Sequence, residues 1–242
     1  MKKFLIAIPA RIKSNRLPEK PLRLLCGKPL IAWVVESCLK ITENVLVATD
    51  DLRVKKIAEK FGAKAVMTSP SHPSGTDRIF EAVKDLEFEY IVNVQGDEPF
   101  VKADHVLPIV GALQKGEEYA TIAVRFNNEE EILNPNNVKV VVDKHNHAIY
   151  FSRNVIPYPR DGRIQIGNYL KHIGIYGYTK NSLQKFVSWN EGFLERIEKL
   201  EQLRIIENGK KIYVSVVSEG SFGIDTEEDL KKAAEKLERG EV

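Results

Sequence analysis

The chain has 242 residues, enough for one or two domains and for a core that needs no disulfide or metal staple. It is 43% hydrophobic and 29% charged, a globular composition that excludes a disordered, collagenous or coiled-coil chain. Lys and Arg total 36 against 34 Asp and Glu, a net charge of +2, which argues against a dedicated nucleic-acid binder but leaves room for a local basic pocket. Cys26 and Cys38 sit in no CxxC or metal-ligand spacing, so reduced thiols in the cytoplasm are expected. Lys2-Lys3 and the apolar run after them resemble the start of a signal peptide. The run stops at Pro9 and Arg11, too early for a secretory leader. No apolar stretch approaches the ~18 residues of a spanning helix. The expectation is a cytoplasmic protein with no membrane insertion and no nucleic-acid partner.

Short β-rich runs alternate with amphipathic segments through the first half. Residues 4–8 form a continuous apolar run, as in a strand buried on both faces, and a Pro-rich basic loop follows over 9–21. Pro29 suits the first turn of a helix carrying Leu30, Trp33, Val34 and Leu39. Residues 45–49 read as a strand. Asp50 or Asp51 then caps a helix holding Val54, Ile57, Ala58 and Phe61, which Gly62 ends. A strand at 65–67, a helix with Ile79, Ala82, Val83 and Leu86, and a strand at 90–94 complete the alternation. This pattern predicts an α/β fold with a mainly parallel sheet flanked by helices.

The second half is less regular. Strands are expected at 119–124, 138–142, 148–151, 173–178 and 212–217, and helices at 195–207 and 226–238. We read one domain over 1–242 with an antiparallel insertion at about 125–190.

Ligands of open α/β sheets sit beyond the carboxyl ends of the strands, and three unusual stretches fall near such ends. The loop after the first strand carries Arg11, Lys13, Arg16 and Lys20, cations suited to a polyphosphate; it is neither a Walker A nor a GxGxxG loop. Asn93-Val94-Gln95-Gly96-Asp97-Glu98-Pro99 ends an apolar strand in carboxylates, a place for a hard cation, although Asp97 there also suits a cap or a turn. Gly223-Ile224-Asp225-Thr226 precedes a helix. Asp225 is read either as a cap, through Asp225/Glu228 or Thr226/Asp229 capping boxes, or as a second metal ligand. Ser74-Gly75-Thr76-Asp77-Arg78 reads as a helix start facing an anion or base, or as an ordinary cap at Thr76. No nucleophilic triad and no HExxH motif supports a hydrolase.

Together these stretches resemble the 3-deoxy-manno-octulosonate cytidylyltransferases. The resemblance extends through Tyr150-Phe151-Ser152-Arg153, His172-Ile173-Gly174-Ile175-Tyr176-Gly177-Tyr178 and Leu200-Glu201-Gln202-Leu203-Arg204. The chain departs from the family pattern at Asp77, where Glu is commoner, at Asn15, where Thr is common, and in a short loop at 160–169.

The resemblance implies a nucleotide-diphospho-sugar transferase sheet and a homodimer whose contact comes from about 125–190. It also implies the reaction of CTP with the sugar acid KDO to give CMP-KDO and pyrophosphate, feeding lipopolysaccharide synthesis. Asp97 and Asp225 would hold Mg²⁺, and Arg11 and Lys20 would stabilise developing phosphate charge. Pro9, Ala10, Arg11, Ser14, Lys20, Ser74, Gly75, Arg78 and Gln95 would contact the nucleotide. Arg153 and His172 would supply cations for the sugar carboxylate, with Tyr176, Glu201 and Gln202 for hydroxyls. The rivals are a cytidylyltransferase for 8-amino-KDO or sialic acid, a glycosyltransferase on a similar sheet, and a catalytically silent nucleotide-binding module. The second lacks a DxD motif at Asp97-Glu98-Pro99, and retention of Lys20, Asp97 and Asp225 together speaks against the third.

Overall fold

The computed structural model describes residues 4–14 and 16–241; Lys2-Lys3 and the Asn15 departure lie outside the described residues. The chain divides into two compact units, Met1–Val106 with Ser221–Val242, and Leu107–Gly220.

The first unit begins with β1 (Phe4–Ala10), almost wholly buried. β2 (Leu24–Leu25) and β3 (Lys28–Pro29) pair through a Cys26-Gly27 turn with both residues at positive φ, 48° and 79°. That is the hairpin geometry in which the second residue is usually glycine. Then come α1 (Leu30–Leu39), β4 (Val45–Thr49), α2 (Leu52–Lys60), β5 (Lys64–Met67), α3 (Gly75–Val83) and β6 (Tyr90–Asn93). The strands run in the order β5-β4-β1-β6, all parallel. α1 and α2 pack on each other and on β4, and α3 packs on β1 and β4. Asp51, not Asp50, caps α2 by accepting the Arg53 and Val54 amides. The mainly parallel sheet flanked by helices is thus as the alternation predicts.

α4 (Ala103–Gln114) has no counterpart among the expected elements. It contains Pro108, which lacks an N–H and breaks the usual helical reading. The second unit holds β7 (Tyr119–Arg125), α5 (Glu129–Leu133), β8 (Lys139–Val142), β9 (Ala148–Ser152), β10 (Leu170–Thr179), α6 (Lys180–Ser188), α7 (Phe193–Glu198), α8 (Leu203–Glu207) and β11 (Tyr213–Val217). β7 pairs parallel with β11 and antiparallel with β10; β8 pairs antiparallel with β10 and β9. This unit contains the whole 125–190 segment. The single helix expected over 195–207 is two short helices. Lys199 takes a left-handed conformation (φ 54°) at the end of α7, which turns the chain, and buried Leu200 anchors the turn.

α9 (Glu227–Glu238) returns to the first unit. Leu17, Leu25, Leu30, Phe100, Ile224 and Ala233 form one buried cluster there. Burying each large aliphatic contributes about 1.5–3 kcal/mol. Leu17 and Ile224 therefore pin two otherwise polar segments, the basic loop and the Asp225 segment, to one core.

Candidate active site

β1 and β6 are neighbours, so their carboxyl ends lie side by side. Two glycines let them close on the start of α3. A Cβ on Gly75 would stand 3.1 Å from Pro9 Cγ, and one on Gly96 would stand 2.8 Å from the Pro9 carbonyl oxygen. The result is a cavity of about 420 Å³. All the expected nucleotide contacts line it: Pro9, Ala10, Arg11, Ser14, Lys20, Ser74, Gly75, Arg78 and Gln95. Asp97, Asp225 and Arg16 line it as well.

The basic loop is tied at three points. Leu17 is fully buried, the Ile12 amide donates to Asp50 at 2.9 Å, and Arg53 bonds Glu19 at 2.8 Å. Glu19 sits in the left-handed region (φ 51°). It turns the chain directly before Lys20.

The Lys20 ammonium lies between two carboxylates, donating to Asp97 Oδ2 at 2.6 Å and to Asp225 Oδ1 at 2.7 Å. Arg16 bonds the other Asp225 oxygen at 3.0 Å. Burial opposes the charge on Lys20, but Asp97 and Asp225 outweigh it and hold the ammonium above the ordinary lysine value. Burial, helped by the Asp225 charge, raises Asp97 against the pull of Lys20. Asp225 is also opposed by burial, yet Lys20 and Arg16 draw it below the ordinary aspartate value. Glu98, next in the chain, is pushed up to about 7 by burial and the Asp97 charge, and bonds Ser221.

The capping reading of Asp225 is corrected by its neighbours. Thr226 caps α9: its hydroxyl accepts the Asp229 amide at 3.1 Å. The Asp229 carboxylate in turn accepts the amides of Thr226 and Asp225 at 2.9 and 3.1 Å. The Asp225 side chain is thereby left for Lys20 and Arg16. The Ile224 amide also donates to the Asp97 carbonyl at 2.9 Å, which holds the two aspartate segments together.

Among the described residues no group of three or more His, Cys, Asp or Glu side chains is arranged for a metal. The two aspartates nevertheless aim carboxylate oxygens at one positive centre. A hard cation that takes one or two carboxylates and completes its shell with phosphate oxygens fits that donor set.

Ser74, rather than Thr76, caps α3. Its hydroxyl accepts the Thr76 and Asp77 amides at 3.2 Å and donates to the Asp77 carboxylate at 2.6 Å, while Thr76 is buried. The shorter Asp77 therefore serves the cap. Arg78 lines the cavity but is already engaged, with Asp50 at 3.1 Å and Thr68 at 2.6 Å. It stiffens the wall and offers the cavity little charge. His72, Pro73 and Gly96 also line the cavity and are absent from the expected set. His72 is held by Glu81, a pairing nine residues apart that only the fold reveals.

The five expected sugar contacts lie in the second unit. His172 and Tyr176 stand together at a β-bulge between Ile173 and Tyr176, with ring centroids 5.3 Å apart. Burial pushes the His172 imidazole down to about 3, which favours its neutral form, against the cationic role expected of it. The Thr121 hydroxyl donates to the Ile175 carbonyl at 2.8 Å and lies 3.1 Å from His172 Nε2. It therefore accepts from Nε2–H and leaves Nδ1 as an acceptor. Burial, with Tyr178 and Glu201 nearby, raises Tyr176 well above the ordinary tyrosine value, so its hydroxyl keeps its proton. Gln202 is buried, and its Nε2 has no hydrogen-bond partner among the described residues. Arg153 is bonded to carbonyls at the end of α7, with Nε to the Glu198 carbonyl at 2.8 Å.

Residues 5–212 match the model of the family described as Cytidylyltransferase. The 3-deoxy-manno-octulosonate cytidylyltransferase of Vibrio campbellii is 46% identical over 94% of this chain and 95% of its own. That of Thermodesulfovibrio yellowstonii is 46% identical over 95% of this chain and 96% of its own. A solved CMP:2-keto-3-deoxy-manno-octonic acid synthetase complexed with CTP superposes with a TM-score of 0.91 at 39% identity, each chain covered in full. The chain belongs to the cytidylyltransferase family and, within it, to the 3-deoxy-manno-octulosonate cytidylyltransferases.

Proposed function

We propose that the protein transfers CMP from CTP to 3-deoxy-manno-octulosonate, releasing pyrophosphate, in the cytoplasm and for lipopolysaccharide synthesis. The observation that carries this reading is Lys20 between Asp97 and Asp225 on the wall of the cavity, in a chain 46% identical to enzymes of that name.

Arg11, Arg16 and Lys20 bind the triphosphate. Arg offers forked contacts and Lys a point charge. As phosphate oxygens arrive, Lys20 exchanges its carboxylate partners for them and steadies the charge that develops at the α-phosphorus. Asp97 and Asp225 are then able to hold Mg²⁺, which when bound acidifies a coordinated hydroxyl and neutralises phosphate charge. Gln95 Nε2 donates to Asn93 Oδ1 at 3.0 Å, which orients the amide. Its Oε1 then supplies an acceptor for the exocyclic amine of cytosine, a group uracil lacks. Ser74 is occupied as a cap, so this turn contributes backbone groups.

On the sugar side Arg153 takes the carboxylate. Neutral His172 offers Nδ1 as an acceptor, and Tyr176 and Glu201 meet hydroxyls. Gln202 Nε2, a buried donor without a protein partner among the described residues, is suited to a ligand oxygen. The protein acts as a homodimer through the 125–190 segment, where Leu133, Ile149 and Tyr158 expose apolar side chains.

The test is pyrophosphate release with Mg-CTP, comparing KDO, its 8-amino analogue, sialic acid and no sugar. Release that depends on KDO is expected. Release only with another sugar acid moves the specificity and keeps the mechanism. CTP binding without release for any of them overturns the enzymatic reading.

A further inference from the structure

Lys139 is fully buried, and among the described residues its ammonium bonds backbone carbonyls alone: Asn134 at 3.1 Å, Asn137 at 2.8 Å and Arg153 at 2.6 Å. These contacts match its three N–H donors. Burial draws its charge below the ordinary lysine range, with the Glu198 charge opposing that. A buried ammonium is a costly way to hold a chain unless the position it fixes matters.

Of the three carbonyls it holds, that of Arg153 is the nearest. Lys139 holds the Arg153 carbonyl. The Glu198 carboxylate holds the Arg153 amide at 3.0 Å and the Ser152 hydroxyl at 2.6 Å. The guanidinium is held too, with Nε to the Glu198 carbonyl at 2.8 Å, Nη1 to Pro135 at 3.2 Å and Nη2 to Lys199 at 3.4 Å. A guanidinium has five N–H donors, and these contacts engage three. One N–H on each Nη remains for a ligand oxygen.

We propose that Lys139 and Glu198 are positioning residues that hold Arg153 in a fixed place and thereby set the affinity for the anionic sugar acid. This rests on the reading of Arg153 as the carboxylate contact. A long side chain fixed beforehand loses little freedom when the anion binds, so the affinity gain comes from ordering done by the fold.

The test measures KM for KDO and for CTP in Lys139→Met, Glu198→Gln and Arg153→Ala, and in Arg153→Ala combined with each of the other two. Lys139→Met and Glu198→Gln are each expected to raise the KDO KM about tenfold with kcat nearly unchanged. The CTP KM should stay within about twofold. Arg153→Ala should raise the KDO KM further. Adding either other change to it should then alter KM by no more than about twofold, because the group they position is gone. Full additivity in the double variants, or a parallel rise in both KM values, overturns the proposal and leaves the pair a structural role. An unchanged KDO KM in Arg153→Ala overturns the reading of Arg153 itself. Should Lys139→Met not fold, the near-isosteric Glu198→Gln carries the same comparison.

Discussion

In the first unit Lys20 stands between Asp97 and Asp225 on the wall of an open cavity. In the second, Lys139 is fully buried and bonded to three carbonyl oxygens. Both are lysines withdrawn from water, and their partners separate their roles. A lysine paired with carboxylates beside solvent can trade them for phosphate oxygens or yield them to a metal ion. A lysine whose donors all meet backbone holds the chain and exchanges with nothing. The same contrast runs through the other polar groups. Asp225 is charged and shared between Lys20 and Arg16, whereas His172 is buried and neutral against Thr121. The first unit thus presents its paired charges to a cavity, whereas in the second Lys139 holds the chain and His172 is driven toward its neutral form.

The largest expected effect breaks the charged side of this comparison. Asp97→Asn should keep the fold and lower turnover by roughly a hundredfold to a thousandfold. Near wild-type turnover with Mg²⁺ would remove Asp97 from the reacting site. Next comes a pH effect from the neutral side. His172 sits at about 3 in the fold against an ordinary 6.5. Between those values the unfolded chain binds the extra proton, so stability is full above about 6.5 and falls as pH drops toward 3. Denaturant melts from pH 8 to pH 4 should show this loss, and His172→Gln should flatten it. A slope unchanged by that substitution would mean that His172 is charged in the fold. The smallest effect concerns the cap beside the site. Thr226→Ala should cost about 1 kcal/mol of stability and leave turnover close to wild type. Thermal melting and pyrophosphate release read the two quantities separately.

Much of this was legible in the sequence because local signals agree with the fold. The apolar run at 4–8 had to be buried on both faces, and Gly62, at φ 97°, ends α2 where a left-handed residue is needed. The strand-end position of Arg11, Lys20 and Asp97 marked the cavity. What stayed hidden depends on distance along the chain or on burial. Lys20 meets Asp97 and Asp225 across 77 and 205 residues, a pairing no spacing rule encodes. His72 lines the cavity while paired with Glu81, a contact that a single sequence does not mark. The charge of His172 follows from burial, which a single sequence does not show. The break at Lys199 comes from a left-handed turn at a residue with no special turn chemistry. α4, with Pro108 inside it, has no counterpart among the expected elements.

Asp225 belongs to the charged cluster with Lys20 and Arg16, while Thr226 and Asp229 do the capping. Turnover and melting temperature of Asp225→Asn test it most directly, because Asn caps about as well as Asp but lacks the charge that meets Lys20 and Arg16. Turnover should fall by roughly a hundredfold, with melting within about two degrees of wild type. Wild-type turnover in that variant would contradict it.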